Sequence, residues 1–246
     1  MSAKLRCVGV ACLLIASLAV RGSEAESEGQ ETGSEMTTVQ LVLLFRGPNQ
    51  KPMGEREIQL HQEAHLDYLD GLLEQGRVVI EGPLDGGDDL RSIVVLNVPT
   101  TTEAERLMRE DPWVRIGRLR AEVHPWSIPD GVLRKPTGHV YNSRCNLALL
   151  ERSPNAPAYT DEQLAGIRAG HKATIQRISD SGHLLLAGPM TDDGSLREAL
   201  ILRAGDTGPV TEQLADDPAV KLGRLQAKIL PWHVLDGTLP DRSARE

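Results

Sequence analysis

The chain has 246 residues, 40% of them hydrophobic and 3% aromatic, with a formal net charge of −8. Its length is ample for two small units sharing one core. The acidic balance gives no electrostatic footprint for nucleic acid and no basic patch for anionic membranes.

Residues 1–25 read as a secretory signal peptide. Lys4 and Arg6 give a basic start, residues 8–20 are a nearly unbroken apolar run too short to span a membrane, and Ser23-Glu24-Ala25 supplies small residues for a peptidase. A disordered or buried segment is the plain alternative. Cys12 comes too early in the run for a lipoprotein signal. Removing this segment takes away Lys4, Arg6, Arg21 and Glu24, together a charge of +2, and leaves −10. The product is expected to be secreted or periplasmic. Of the three cysteines only Cys145 then remains, so no intramolecular disulfide is possible. Residues 26–35 are acidic and lack apolar residues, as in a disordered linker.

The rest of the chain repeats. Residues 36–133 fall on 142–239 without a gap. Roughly a quarter of the aligned positions are identical, a signature of a duplicated unit. The matches include His65 with His171, Gly82-Pro83 with Gly188-Pro189, Leu90-Arg91 with Leu196-Arg197 and Asp111-Pro112 with Asp217-Pro218. Gly117-Arg118-Leu119 matches Gly223-Arg224-Leu225, and Pro125-Trp126 matches Pro231-Trp232.

In copy one, residues 39–45 form an apolar, β-branched run, and residues 58–73 carry helical spacing. Residues 78–80 and 93–98 are short strand-like runs. Thr100-x-x-Glu103 predicts a capping box opening a second helix, and Pro112 marks its end. Leu119, Ala121 and Val123 alternate with polar residues as in a half-buried strand. Residues 130–140 are the connector. Copy two repeats the order, with Thr160-x-x-Gln163 as its first cap.

The order βαββαβ predicts an α+β fold of tandem ferredoxin-like repeats, each a four-stranded antiparallel sheet with its helices on one face. Leu41 and Leu43 alternate with Val42 and Leu44, and Ile93 and Val95 with Val94 and Leu96, so both sheet faces are apolar. Helices cover one face. The other is expected to meet the second sheet, at Leu147, Leu149, Leu200, Ile201 and Leu202, within one molecule. The expected state is a monomer with a pseudo-dimeric core, with further oligomerisation possible.

His65 and His171 sit in the apolar stripes of the first helices, with Ile58, Leu69 and Leu72 or Leu164, Ile175 and Ile178. A buried imidazole needs a partner. Asp111 and Asp217 each end a helix, where the macrodipole disfavours a carboxylate. Pairing each histidine with its aspartate would offset both costs and create an acid/base dyad with one ring nitrogen left free. The plain alternatives are a core histidine held by a carbonyl and an Asp-Pro helix stop. Gly82-Pro83 and Gly188-Pro189 are turns or close approaches to a ligand, and Arg91 and Arg197 are anion holders or solvated strand ends. Trp126 and Trp232 read as strand-end anchors. His61 and His65 are spaced as half a metal site, but copy two has Ile167 there and no third ligand is evident, so no metal or other cofactor is assigned. The aromatic platform of RNA-recognition modules is missing.

Ala64-His65-Leu66, Glu81-Gly82-Pro83, Glu110-Asp111-Pro112-Trp113 and His124-Pro125-Trp126 resemble the YCII-related domain. Ala187-Gly188-Pro189, Asp216-Asp217-Pro218 and Leu230-Pro231-Trp232 fit the pattern in copy two. The resemblance implies a dimeric α+β barrel, here made by one chain, and a His–Asp site mapping to His65 with Asp111 and His171 with Asp217. It also implies muconolactone-isomerase-like or dehalogenating chemistry on a small molecule. The family often has an arginine three residues before the histidine; Arg168 matches, whereas Gln62 does not, so the second site is expected to be the more complete. The expected function is a small-molecule enzyme of isomerase, lyase or hydrolytic type. The alternative is a non-catalytic binding or structural module. N-terminal sequencing of exported protein should begin near Glu26; an intact Met1 on a cytoplasmic product would overturn the signal reading.

Overall fold

The structure is a computed structural model that describes residues 35–86, 89–137, 141 and 143–239. The expected signal segment and the linker up to residue 34 lie outside the described residues. The chain runs β1 (Met36–Arg46), α1 (Glu55–Glu74), β2 (Val78–Pro83), β3 (Leu90–Leu96), α2 (Thr101–Glu110), α3 (Pro112–Arg115) and β4 (Leu119–Pro129). It then repeats as β5 (Ser143–Arg152), α4 (Asp161–Asp180), β6 (Leu184–Pro189), β7 (Leu196–Arg203), α5 (Gly208–Ala215), α6 (Pro218–Lys221) and β8 (Leu225–Val234). Each half is one antiparallel sheet, ordered β2-β3-β1-β4 or β6-β7-β5-β8.

Local chemistry explains the element ends. Thr160 and Gln163 form a full capping box at α4, whereas Thr100 caps α2 through its hydroxyl alone. Both long helices stop at a glycine with positive φ, Gly76 at 70° and Gly182 at 77°, the left-handed turn that ends a helix. The single-turn helices α3 and α6 are not legible in the sequence pattern. Proline at their first position lets a new helix start directly after the old one stops.

The period-2 patterning sorts the strands into two layers. Leu41, Leu43, Ile93 and Val95 pack with Leu147, Leu149, Ala199 and Ile201 in one cluster between the sheets. Val42, Leu44, Val94 and Leu96 face α1 and α2. Leu200 and Leu202 belong to the helix-facing layer of the second sheet, and not to the expected layer between the sheets. Alternation along β7 gives that inner face to Ala199 and Ile201. Cys145 lies in the shared layer, and burial pushes its thiol up to about 12.

A reciprocal seam stitches the halves. The indole N–H of Trp232 donates to Gly82 O at 3.0 Å, and that of Trp126 donates to Gly188 O at 2.9 Å. The backbone N–H groups of Asp85 and Thr191 donate to Pro231 O and Pro125 O at 3.0 and 2.9 Å. A Cβ at Gly82 would meet His233 O at 1.8 Å, and one at Gly188 would meet Ser127 O at 2.0 Å. The glycines therefore allow close approach, but to the other repeat's strand and not to a ligand. Pairs across the seam, His233–Asp85 at 2.8 Å and His124–Asp192 at 3.1 Å, add a polar rim.

Residues 36–133 expressed alone would expose nine buried apolar residues of the shared layer. At the usual transfer cost this is roughly 14–27 kcal/mol, more than a small domain's whole stability. That fragment should elute as a homodimer or aggregate in size-exclusion chromatography. A well-folded monomer would count against the shared core.

Candidate active and binding pockets

In the first repeat, α1 carries His65 on its inner face, 7% exposed. Its Nδ1 lies 2.6 Å from Asp111 Oδ2. Asp111 Oδ1 accepts from the backbone N–H groups of Trp113 and Val114 at 2.8 and 3.2 Å. The aspartate is thus the N-cap of α3 as well as the end of α2. The expected electrostatic misfit does not arise, because the carboxylate sits at the positive end of the following helix. An ionised Asp111 makes Nδ1 the donor and leaves Nε2, which has no partner among the described residues, to the adjoining cavity of about 460 Å³. His61 instead lies against Trp113, ring centroids 5.3 Å apart.

Two groups share that cavity. Glu81 on β2 is 4% exposed and accepts a short hydrogen bond from the Tyr141 hydroxyl. Burial raises its carboxyl above the ordinary value, against the hydrogen bond of Tyr141 and the nearby His65. Tyr141 lies just before β5, and its hydroxyl is pushed up by burial and by the Glu81 charge. Ser92, at the cavity wall on β3, donates to Gly82 O at 2.8 Å and so ties pocket to seam.

The second repeat reproduces the dyad and then departs. His171 Nδ1 lies 2.8 Å from Asp217 Oδ2, and Asp217 Oδ1 accepts from Ala219 N–H at 2.7 Å. His171 Nε2, expected to be free, lies 2.6 Å from Glu198 Oε2. Glu198 occupies the place of Ser92, and the longer side chain reaches the ring. Burial works to lower His171, but hydrogen bonds to Asp217 and Glu198 and their charges outweigh it, lifting the ring to about 10. Burial works to raise Asp217, and the hydrogen bond and charge of His171 hold it below its ordinary value. At neutral pH the ring is an imidazolium donating from both nitrogens.

The adjoining cavity is larger, about 800 Å³. Ala219 stands where Trp113 walls the first pocket. Arg168 lines it, while its counterpart Gln62 accepts from the Trp113 indole at 3.2 Å. Pro83 and Arg91 line the first pocket, and Pro189 and Arg197 the second, whereas Gly82 and Gly188 lie in the seam. Sequence reasoning missed that Arg46 and Arg118 join Arg91, and that Arg152 and Arg224 join Arg197. Their signal was retention of arginine at the same offset in both copies, including the repeated Gly-Arg-Leu motif. Glu81, Glu198 and Tyr141 gave no such signal, since the other copy has Ala187, Ser92 and Glu35 there.

Residues 41–127 match the family model of the YCII-related domain. The first repeat is a YCII-related domain. The match stops short of the second repeat. A candidate chlorite dismutase shares 12% identity with a TM-score of 0.54, over 81% of this chain and 95% of that one. This likeness spans both repeats and shows the fold, an α+β architecture like the dimeric α+β barrel of that protein. A heme-binding protein from Thermus thermophilus aligns at 12% identity and TM-score 0.47, over 82% of this chain and 94% of that one. A candidate monooxygenase from Fusobacterium nucleatum aligns at 10% identity and TM-score 0.45, over 83% and 96%. No curated protein sequence matches the chain.

Because the folded His171 value is raised from 6.5 to about 10, its contribution to stability is fully present below pH 6.5 and is lost as pH rises through 10. Glu198→Gln removes one of the two charges that raise it. NMR titration should place the His171 ring near pH 10 in the native chain and lower in Glu198→Gln. Denaturant unfolding should show stability falling between pH 7 and 10, earlier in the variant. A ring titrating near 6.5 in the native chain would contradict the clamp.

Proposed function

We propose that the protein is a small-molecule enzyme whose acid/base dyad is His65 with Asp111. One observation carries this reading: His65 has one ring nitrogen fixed by a buried, N-capping carboxylate and the other open to a cavity. That arrangement suits proton transfer at carbon beside a carbonyl or carboxylate. Asp111 holds the ring and offsets the charge of the imidazolium formed. Glu81, with its carboxyl raised by burial, shares the pocket as a second proton-handling group. Arg46, Arg91 and Arg118 supply charge for an anionic group on the substrate. Isomerase, lyase and hydrolytic dehalogenase-like reactions all use these roles.

The second repeat belongs in the same family on this reading, from its shared motifs and element order. The working form is a monomer with a pseudo-dimeric core, exported by its N-terminal segment. The heme named for one neighbour fits the larger pocket poorly, because both nitrogens of its histidine are held by carboxylates and neither offers iron a lone pair.

Proton abstraction can be read without knowing the net reaction. The full chain, incubated in D2O with a panel of oxo acids, lactones and arylacetates, should place deuterium beside the carbonyl of at least one, by NMR. His65→Asn keeps an amide N–H for Asp111 and lacks Nε2; it should slow exchange by roughly 10²–10⁴-fold with an unchanged fold by circular dichroism. Full exchange in His65→Asn would overturn the dyad. Binding of panel members with no exchange by the native chain would favour a non-catalytic binder.

A further inference from the structure

We propose that the second pocket is a binding site for an organic carboxylate with an apolar body, in which His171 holds architecture and transfers no proton. The proposal stands apart from the acid/base reading of the first pocket. Five cationic side chains, Arg152, Arg168, Lys172, Arg197 and Arg224, line the cavity of about 800 Å³. Such a concentration is unexpected in a chain of net charge −8. One carboxylate, Glu198, lines the same cavity, and it is spent on His171. Asp217 is wholly buried on the far side of the ring. Among the described residues none of the five cations has a carboxylate partner. The Arg197 guanidinium is instead aimed by the carbonyl oxygens of Asp192 and Gly194, at 2.8 and 3.4 Å.

The histidine cannot serve as a base there, since both ring nitrogens donate to carboxylates. What it does is hold Glu198 against the ring, so that imidazolium and two carboxylates carry one net negative charge against the five cations around them. The clamp thus leaves the pocket with a cationic field over a fixed floor. Ile167, Ile175, Leu184 and Leu225 supply the apolar wall. Guanidinium groups bind carboxylates by paired, charge-assisted hydrogen bonds, and apolar walls supply the rest of the affinity. The first pocket keeps three arginines but is smaller and less cationic, with Gln62, Leu66 and Trp113 in place of Arg168, Lys172 and Ala219.

The probes are 2-naphthoate and its neutral isostere 2-naphthamide, titrated calorimetrically into the full chain at pH 7. Naphthoate should bind at least about tenfold more tightly than the amide, and more weakly at high salt. Arg168→Gln combined with Arg224→Gln should weaken naphthoate at least about tenfold with little change in thermal midpoint. Should that double variant misfold, Arg168→Glu alone changes an exposed residue and should also weaken binding. Equal binding of acid and amide overturns the proposal, as does native affinity in these variants. So does loss of binding only on Arg46→Gln with Arg118→Gln, or no heat from naphthoate up to about 1 mM. The readout needs no turnover, so its failure leaves the His65 reading standing, and failure of deuterium exchange leaves this one standing.

Discussion

A four-stranded sheet with apolar residues on both faces cannot be covered by helices on one side. That constraint organises the whole molecule. The face left bare by α1 and α2 closes on the matching face of the second sheet, and the tandem chain supplies both. The seam then fixes how they meet. Each buried indole reaches across to a glycine carbonyl of the other half, and the missing Cβ lets the strands approach. A buried indole N–H left without an acceptor would cost about 1–3 kcal/mol, so the register of the halves is specified and not merely tolerated.

The same economy links fold to chemistry. Asp111 ends α2 and starts α3, Asp217 follows the last cap of α5 and starts α6, and each grips a histidine with the oxygen the cap leaves over. A carboxylate satisfied by backbone N–H groups is fixed in place, and so is the ring it holds. The dyad is a by-product of how the chain turns from helix to helix. Ser92 makes a second link, since its hydroxyl supports the Gly82 carbonyl that the seam also uses. The wall of the first pocket is therefore braced by the contact between repeats.

The two halves share this frame, and a few exchanges give their pockets different linings. Ser92 against Glu198 decides whether the second ring nitrogen is open or clamped. Glu81 against Ala187 decides whether a buried carboxyl shares the cavity. Trp113 against Ala219 decides its size. The scaffold residues, by contrast, are those that stayed the same.

The sequence by itself determined the duplication, the βαββαβ order, the assignment of Leu41 and Val42 to opposite layers, and the placing of His65 and His171 on buried helix stripes. These are written in periodicities of two and 3.6 residues and in one fixed offset, all of them local or self-referring. Tertiary structure decided that Asp111 is a cap and not a misfit, that Gly82 faces the other repeat, that arginines 46, 91 and 118 converge, and that Glu198 reaches His171. Each of these joins residues from different elements whose spacing along the chain carries no pattern. The protonation of His171 is further from the sequence still. It depends on burial and on two carboxylates held within hydrogen-bond distance, and only the folded chain brings those together.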